Sequence, residues 1–237
     1  HPGARTGAVT WRTSGGETWL FGGYGFSATG EGYLNDLWRW DGSSWTWVSG
    51  ADRENQPGVF GTKGVPAAAN VPGARGYSTS WIGPEGSLWL FGGLIGPYDE
   101  VLWNDLWKWD GTSWTWVSGS QTPNQYGVYG TKGVPAPTNV PGGRHSGVAW
   151  TGTNGDFWLF GGNGWPESPV GEMNDLWRWD GTSWTWMSGA NDGNVSGGAV
   201  SLGVPAPEDT PAGRVGAAAW VDGNGHFWLF GGTNYSH

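Results

Sequence analysis

Thr18-Trp19-Leu20-Phe21-Gly22-Gly23 is the segment to which this chain keeps returning. The first glycine of the pair lies at positions 22, 92, 161 and 231, so successive copies are 70, 69 and 70 residues apart. A fixed spacing of this length is typical of repeat architectures. Each copy is a short aromatic and aliphatic run before two glycines, which predicts a buried strand that ends in a tight turn. The other copies are 88–93, 157–162 and 227–232.

Each full repeat contains four strand candidates. The last two alternate between aromatic and polar side chains, which indicates a sheet with one face packed on a neighbouring sheet. Asp41-Gly42 between them is a strong hairpin signal, because glycine accepts a positive φ. No helical periodicity is present, so we predict an all-β fold. In the first repeat the candidates are 7–11, 18–21, 35–40 and 45–48.

The repeats organise the whole chain of 237 residues. Their approximate bounds are 1–70, 71–139 and 140–209, followed by a half repeat, 210–237. Because one repeated unit cannot bury its apolar face alone, we predict a single domain, 1–237.

Composition narrows the class of protein. The 22 tryptophans require burial, so the 47 glycines indicate turns and not disorder. The net charge of −9, with 11 Lys and Arg, argues against a nucleic-acid groove or an anionic membrane surface. Absence of cysteine excludes disulfides, thiolate metal sites and cysteine nucleophiles.

The same composition bears on location. No stretch reaches the roughly 20 apolar residues that a membrane-spanning helix needs. No signal peptide is visible, as for a mature exported protein or a trimmed chain. Abundant Gly, Ser, Thr, Asn and Trp without cysteine suits an exported bacterial protein, so we expect an extracellular or cell-surface location.

A long connection closes each repeat and keeps its own pattern. Segments 56–66 and 125–135 both contain Gly-Val-aromatic-Gly-Thr-Lys-Gly-Val-Pro, and 196–205 is a degenerate third copy. A flexible linker has no reason to keep such a pattern. We predict an ordered Ω-like loop that packs Val59, Phe60 and their counterparts over the sheet edges.

The order of these elements resembles the kelch repeat: a glycine pair after a hydrophobic strand, a variable loop, Asn-Asp-Leu-Trp, and then Trp-Thr-Trp. The resemblance covers nearly the whole chain and is closest to long-repeat, tryptophan-rich bacterial kelch-like proteins. It implies a β-propeller in which the first strand of each repeat is nearest the axis and the fourth is outermost. It implies no single chemistry, because this fold carries both enzymes and binding modules.

The fourth repeat has only its first two strands, 216–220 and 227–230. The start of the chain begins with a first-type strand of its own and does not supply the missing ones. Two chains of three and a half repeats could in principle form one seven-bladed ring. Each would then contribute a half-blade at a separate place, and neither chain has spare outer strands to complete it. We therefore predict a four-bladed propeller with an incomplete last blade, whose open edge is a template for another chain. That edge consists of Phe227, Trp228, Leu229 and Phe230.

Charged residues recur at fixed places, with an arginine beside the first strand and an aspartate on the third. We predict a brace between adjoining blades, in which each arginine bonds a carboxylate or a carbonyl. The alternative is a charged ring at the channel mouth that holds a small ion. The residues are Arg5, Arg75, Arg144 and Arg214, with Asp36, Asp105 and Asp175.

No motif predicts catalysis. His1, His145, His226 and His237 lack metal-ligand spacing, so we expect no metal and no cofactor. The copper radical oxidases associated with the kelch resemblance need a cysteine, which is absent. The Asp-Gly turns do not match the sialidase Asp-box, and Ser146 lacks a nucleophile elbow. Paired carboxylates for glycoside hydrolysis stay open, although most acids recur in every repeat as a scaffold would.

Aromatic residues also lie in the variable loop after the glycine pair. There they would form a rim that stacks on sugar rings, as in a lectin. Packing locally or on a protein partner is the competing interpretation. The residues are Tyr24, Tyr33, Tyr98, Trp103 and Trp165.

These observations favour three functions, in order of preference. The first is a non-enzymatic structural protein that forms a fibre or surface array by completing its open blade with strands of a neighbour. That neighbour is a second copy or an adjacent propeller of a longer chain. The second is a carbohydrate-binding propeller that uses the rim loops. The third is a glycan-active enzyme.

Overall fold

The structure, a computed structural model, describes residues 1–96, 101–198, 201–206 and 209–234. These residues form strands, turns and loops with no helix among them, which confirms the prediction of an all-β fold. In this part of the chain no helix is therefore long and apolar enough to cross a bilayer. The chain divides into two compact units, His1–Pro123 and Asn124–His237. The single domain over 1–237 stays a prediction.

Sheet 1 lies in the first unit and corresponds to the first repeat. Its second strand buries Val9 and Trp11 and exposes Thr10 and Arg12, as the alternation of apolar and polar residues predicts. Its strands are antiparallel: β1 (Arg5–Thr6), β2 (Val9–Arg12), β3 (Thr18–Phe26), β4 (Glu31–Trp40) and β5 (Trp45–Ser49). They pair in the order β2–β3–β4–β5, and β1 also pairs with β3.

Sheet 2 repeats this plan in the second repeat. The Asp110 carboxylate accepts hydrogen bonds from the backbone N–H groups of Thr112 and Ser113, which closes the predicted Asp-Gly hairpin. The strands are β6 (Thr79–Ile82), β7 (Leu88–Phe91), the separate short pair β8 (Leu94–Ile95) and β9 (Val101–Leu102), β10 (Leu106–Trp109) and β11 (Trp114–Ser118). The order in the sheet is β6–β7–β10–β11.

Sheets 3 and 4 lie in the second unit. Sheet 3 has the strand order of sheet 1, whereas sheet 4 has two strands. The Trp220 and Trp228 rings stack across sheet 4 with centroids 6.0 Å apart. Sheet 3 contains β12 (Arg144–His145), β13 (Val148–Thr151), β14 (Phe157–Gly164), β15 (Gly171–Trp179) and β16 (Trp184–Ser188), and sheet 4 contains β17 (Ala218–Val221) and β18 (Phe227–Phe230).

The glycine pair shapes the second strand in two ways. The prediction that Gly22-Gly23 ends the strand is wrong for β3, which continues to Phe26 with a bulge where its register on β4 shifts. Gly22 and Gly23 have φ angles of 64° and 93°, left-handed values that let the strand bulge without stopping. β14 also runs through its glycine pair, whereas β7 and β18 end just before theirs, as predicted.

Tryptophan joins adjacent sheets within each unit. In the first unit the Trp11 indole Nε1 donates a hydrogen bond to the Trp89 carbonyl at 3.3 Å. In the second unit the Trp150 indole makes the equivalent bond to the Trp228 carbonyl at 3.1 Å. Each of these two bonds gives a buried indole N–H an acceptor on the neighbouring sheet, so the ring packs between the sheets with its polar group satisfied.

Candidate functional site

Sheet 4 is half a sheet, and its strand β18 has a free edge. Among the described residues β18 pairs with β17 alone, whereas β3, β7 and β14 each pair on both sides. One row of backbone N–H and C=O groups along β18 is therefore open to another strand.

The side chains of β18 divide between two environments. Phe227 stacks on Trp150 with ring centroids 5.4 Å apart, and Leu229 packs in the same cluster against sheet 3. Trp228 and Phe230 are 48% and 72% exposed. The open edge predicted for Phe227, Trp228, Leu229 and Phe230 stays a prediction as an interface, and its exposed apolar side chains are Trp228 and Phe230, because successive side chains alternate between the faces of a strand.

The equivalent residues of sheet 1 show what covers such a face. Trp19 and Phe21 occupy the places of Trp228 and Phe230 and are only 7% and 1% exposed. The Trp19 ring centroid lies 6.3 Å from that of Trp109 in sheet 2, and the Phe21 centroid lies 5.5 Å from that of Trp114. The exposed face of sheet 4 therefore carries the same kinds of side chain as the face of sheet 1 that packs on sheet 2. This face was not predicted from the sequence, although the repeat columns carry the signal for it.

A buried ion pair fixes each full sheet. Arg75 and Asp105 form a bidentate pair with N–O distances of 2.5 and 2.8 Å, and neither side chain is exposed. Such planar, charge-assisted pairs are strong and geometrically specific. The same geometry recurs in Arg5–Asp36, at 2.6 and 2.9 Å, and in Arg144–Asp175, at 2.7 and 2.8 Å.

These pairs correct the prediction of a brace between adjoining blades. The Arg75 guanidinium also donates to the Gly92 carbonyl, so its acceptors lie in its own repeat. The backbone of the same residue makes the connection to the preceding sheet: the Arg75 N–H donates to the Leu34 carbonyl at 3.0 Å, and the Gly23 N–H donates to the Arg75 carbonyl at 2.8 Å. Arg75 therefore links two repeats: its backbone bonds sheet 1, and its side chain bonds residues of the second repeat.

Arg214 differs from the other three arginines. Its Nη1 donates to the Gly231 carbonyl at 2.7 Å. It has no carboxylate partner among the described residues, because sheet 4 lacks the strand that carries the aspartate in the other sheets. The bond to a carbonyl agrees with the prediction, but this carbonyl lies in the same repeat.

The ion pair of sheet 3 includes a third group. Tyr129 donates its hydroxyl to Asp175 Oδ2 at 2.7 Å. Burial, followed by the charge of Asp175, raises the pKa of the Tyr129 phenol far above its ordinary value, so the phenol stays a donor. Burial acts to lower the pKa of Arg144, but the charge and hydrogen bonds of Asp175 raise it overall. A fully buried and bonded guanidinium favours the structural role over the ion-binding ring.

Of the three long connections, the first two lie on the sheet of the following repeat. We call them connector 1 (55–74), connector 2 (124–143) and connector 3 (194–213). In connector 1, Phe60 packs on Trp107 and Trp116 of sheet 2, with ring centroids 5.0 and 5.3 Å apart. Tyr129 of connector 2 packs on sheet 3 in the same way. The prediction of a packed loop is confirmed for Phe60 and wrong for Val59, which is 48% exposed.

The two rim tryptophans pack locally. Trp103 lies 5.9 Å from the Phe60 ring, and the Arg75 guanidinium lies 5.0 Å from the Trp103 centroid. Trp165 is edge-on to Tyr126 of connector 2 at 5.1 Å. Both therefore pack locally, as the competing interpretation predicted, and a ligand rim at these residues stays a prediction.

The rim tyrosines form a separate feature. Tyr24 and Tyr33 contact each other edge-on with ring centroids 5.2 Å apart. Together with Tyr77 and Asn55 they line a cavity of about 590 Å³. Tyr98, the remaining predicted rim residue, lies outside the described residues.

No model of a known protein family matches this chain, and no curated protein matches it either. Within the described ranges, no group of three or more histidine, cysteine or acidic side chains is placed to hold a metal ion. The features with a bearing on function are the free edge and face of sheet 4 and the tyrosine cavity.

Proposed function

We propose that this chain is a non-enzymatic structural protein of the cell exterior, a kelch-like β-propeller whose fourth blade is completed by strands from outside residues 1–237, supplied by a second copy or by an adjacent propeller of a longer chain. The repeat period and the four-stranded antiparallel sheets support the propeller interpretation. The acidic charge and the absence of cysteine support the location. A head-to-tail contact of this kind extends into a fibre or array unless its rotation closes a ring.

Sheet 4 carries this proposal. Its strand β18 presents unpaired backbone groups beside the exposed side chains of Trp228 and Phe230. Burying one large apolar side chain contributes about 1.5–3 kcal/mol. An added pair of strands would satisfy the backbone row, and a further sheet packed on Trp228 and Phe230, as sheet 2 packs on Trp19 and Phe21, would cover the apolar face.

The donor strand has an expected sequence and register. In sheet 1, Phe21 lies opposite Leu37, the residue that follows Asp36. A donor with Asn-Asp-Leu-Trp in the same register places its leucine opposite Phe230. Its aspartate then lies beside Arg214, the arginine that has no carboxylate partner among the described residues.

A peptide tests this mechanism directly. Residues 174–190 contain the outer hairpin of sheet 3, and we expect this peptide to bind the full chain in a calorimetric titration. Its Asp175→Ala form should bind about 10- to 100-fold more weakly, since a charge-assisted hydrogen bond contributes about 1.5–3 kcal/mol. Equal binding of the two peptides would contradict the proposed register.

A chain variant provides the complementary test. Leu229→Pro removes a backbone donor of the free edge, because the Trp228 N–H faces Trp220 of β17 whereas the Leu229 N–H faces away from β17. The variant should no longer bind the 174–190 peptide, and native assemblies that carry it should be shorter and less heat-resistant by electron microscopy. Assemblies as long and as heat-resistant as the parent's would rule out strand completion.

Carbohydrate binding is a second candidate, favoured by the tyrosine cavity. Tyr24 is 38% exposed beside Tyr33, and Glu31 and Asn55 add hydrogen-bonding groups to the same cavity. Aromatic faces next to such groups suit a sugar ring. We expect Tyr24→Ala to abolish any signal on a glycan array, and a chain that binds no glycan eliminates this candidate.

A further inference from the structure

The lining of the tyrosine cavity is aromatic and acidic. Its residues come from β1, β3, β4, connector 1 and the first part of the second repeat, so it lies within the first unit. Tyr24, Tyr33 and Tyr77 line it together with the carboxylate of Glu31, and no lysine, arginine or histidine is among the described lining residues. Aromatic faces and a carboxylate both attract positive charge, so this composition favours a cationic ligand.

Two of the tyrosines are absent from the equivalent place in sheet 3. Tyr24 lies opposite Tyr33 across β3 and β4, and in sheet 3 Asn163 lies opposite Glu172 across β14 and β15. The Asn163 side-chain amide donates to the Glu172 carboxylate at 3.4 Å there. The same bulged pair of strands therefore forms without aromatic side chains, and the fold alone does not account for the two rings.

Tyr77 occupies a backbone position that suits glycine. Its φ angle is 57°, and the equivalent residues of the other repeats, Gly7, Ser146 and Gly216, have values of 63°, 54° and 64°. Left-handed angles are strained for a bulky side chain, and strain of this kind concentrates at functional sites. The Tyr77 ring packs on Gly7, where an added Cβ would lie 2.7 Å from it. A large ring kept at this position beside a cavity indicates a use for the ring itself.

One wall of the cavity is fixed and two of its rings are accessible. The Tyr33 hydroxyl donates to the Gly96 carbonyl at 3.2 Å, and its backbone N–H donates to the Asn55 side-chain oxygen at 3.0 Å. Tyr24 and Tyr77 are each 38% exposed. A ligand would therefore meet a formed surface, which reduces the entropy that binding costs.

Glu31 supplies a negative charge that no described residue neutralises. It is exposed, and its carboxylate makes no hydrogen bond or ion pair within the described part of the chain. Nearby, Glu54 accepts hydrogen bonds from the Ser27 and Thr29 hydroxyls, and Glu85 pairs with Lys108 at 2.7 Å. The net charge of −9 adds a long-range attraction for cations.

From these observations we propose that the tyrosine cavity binds a sugar with a free ammonium group, an amino sugar. The ammonium lies against the tyrosine rings and forms an ion pair with Glu31, while Thr6 and Asn55 offer hydrogen-bonding groups to the hydroxyls of the sugar. The cavity volume of about 590 Å³ lies within the range of about 300–1,000 Å³ that is typical of small-molecule sites. The proposal rests on the second candidate function, carbohydrate binding at this cavity, and not on the completion of sheet 4.

The test compares two oligosaccharides in calorimetric titrations of the full chain. An oligomer of glucosamine is the probe, in mildly acidic buffer that keeps its amines protonated. The N-acetylated oligomer is the control, because it has the same ring with a neutral amide. We expect the control to bind about tenfold more weakly or less, since it loses both the ion pair and the cation–π contact. Binding of the probe should weaken as NaCl is raised.

Variants of the chain locate the site. Glu31→Gln keeps the shape and removes the charge, so it should weaken binding of the glucosamine oligomer about 2- to 5-fold. Tyr24→Ala and Tyr77→Gly should each weaken it about 3- to 30-fold, and glycine at position 77 suits the backbone there. Glu17→Gln and Tyr126→Ala, outside the cavity, should leave it unchanged.

Four results would overturn the proposal. The first is absence of binding by the glucosamine oligomer. The second is equal binding of the N-acetylated oligomer with no effect of Glu31→Gln, which leaves carbohydrate binding standing and removes the charge from recognition. The third is binding of choline but not of the oligomer, which makes the ligand a cation without a sugar ring. The fourth is an equal loss in Glu17→Gln and Glu31→Gln, which assigns the attraction to the charge of the whole chain. A chain that binds no glycan of any charge eliminates the second candidate function as well.

Discussion

Single residues show what a repeated position can predict. Because arginine and aspartate recur at fixed places, we predicted that the arginines bond carboxylates or carbonyls. In three sheets an arginine forms an ion pair with an aspartate. The repeat leaves two partners open for Arg75, however: Asp105, 30 positions later, and Asp36, 39 positions earlier. Both are compatible with the period, so the choice depends on where the arginine side chain turns in three dimensions, which the spacing does not encode.

Removal of Arg75 tests the buried pair. Arg75→Ala leaves the Asp105 carboxylate buried without its cation, so we expect a loss of about 3–5 kcal/mol in the free energy of unfolding. Arg53→Ala is the control, because Arg53 and Asp52 are exposed and 3.5 Å apart. Its effect should stay within about 1 kcal/mol. Coincident urea midpoints for Arg75→Ala and the parent would show that the pair does not stabilise the fold.

Tyr129→Phe tests the third group of the sheet 3 ion pair. Phe60 shows that phenylalanine fits the equivalent place, so the variant should lose only the hydrogen bond to Asp175, about 1.5–3 kcal/mol. The raised pKa means that the folded protein holds the phenol proton more tightly than the unfolded chain, where tyrosine ionises near pH 10. The stability difference between parent and variant should be constant below about pH 10 and decrease above it. A difference that grows above that pH would contradict the assignment.

At the level of strands and loops, local signals predicted hairpins better than contacts between repeats. Asp110-Gly111 needs only its own neighbours to close a turn, and the structure shows that turn. Phe60 packs on Trp116, 56 positions further along the chain, and no local pattern identifies that target. Gly22-Gly23 has left-handed φ angles that suit a tight turn, the structure predicted there, but a bulge needs such angles too, so the continuation of β3 was missed.

Hydrogen exchange tests the seating of the connectors. The Gly64 and Gly133 N–H groups donate to strand carbonyls of sheets 2 and 3 at 2.8 and 2.7 Å. Gly203 holds the same position in connector 3, and sheet 4 has no outer strand among the described residues to accept its bond. We expect amide exchange at Gly203 to be orders of magnitude faster than at Gly64 and Gly133. A backbone N–H without a hydrogen bond to a packed strand has a lower free energy of local opening. Equal rates at the three glycines would mean that the connectors are not docked.

For the whole molecule, the sequence predicted three full sheets and a half sheet, and the described residues contain them. The free edge of β18 was predicted because missing strands are visible in a repeat count. The exposure of Trp47 was not predicted, because this residue has the same neighbours in sequence as the covered Trp116. Exposure of a repeated residue depends on which loop lies over it, and that is a property of the assembled chain. The number of blades, likewise, depends on how sheets are arranged about an axis and stays a prediction.

Charge makes association between copies sensitive to salt in a defined direction. Each copy carries a net charge of −9, so two copies repel at low ionic strength. The Debye length falls from about 30 Å at 0.01 M salt to about 8 Å at 0.15 M, whereas an apolar contact through Trp228 and Phe230 is not screened. Self-association, measured by sedimentation, should therefore become stronger as NaCl is raised. Phe230→Asp should prevent it at every salt concentration, and Val65→Asp, at another half-exposed apolar position, should change it little. Copies that separate as salt is added are held by ion pairs, and such an outcome would exclude the apolar face of sheet 4 as the contact.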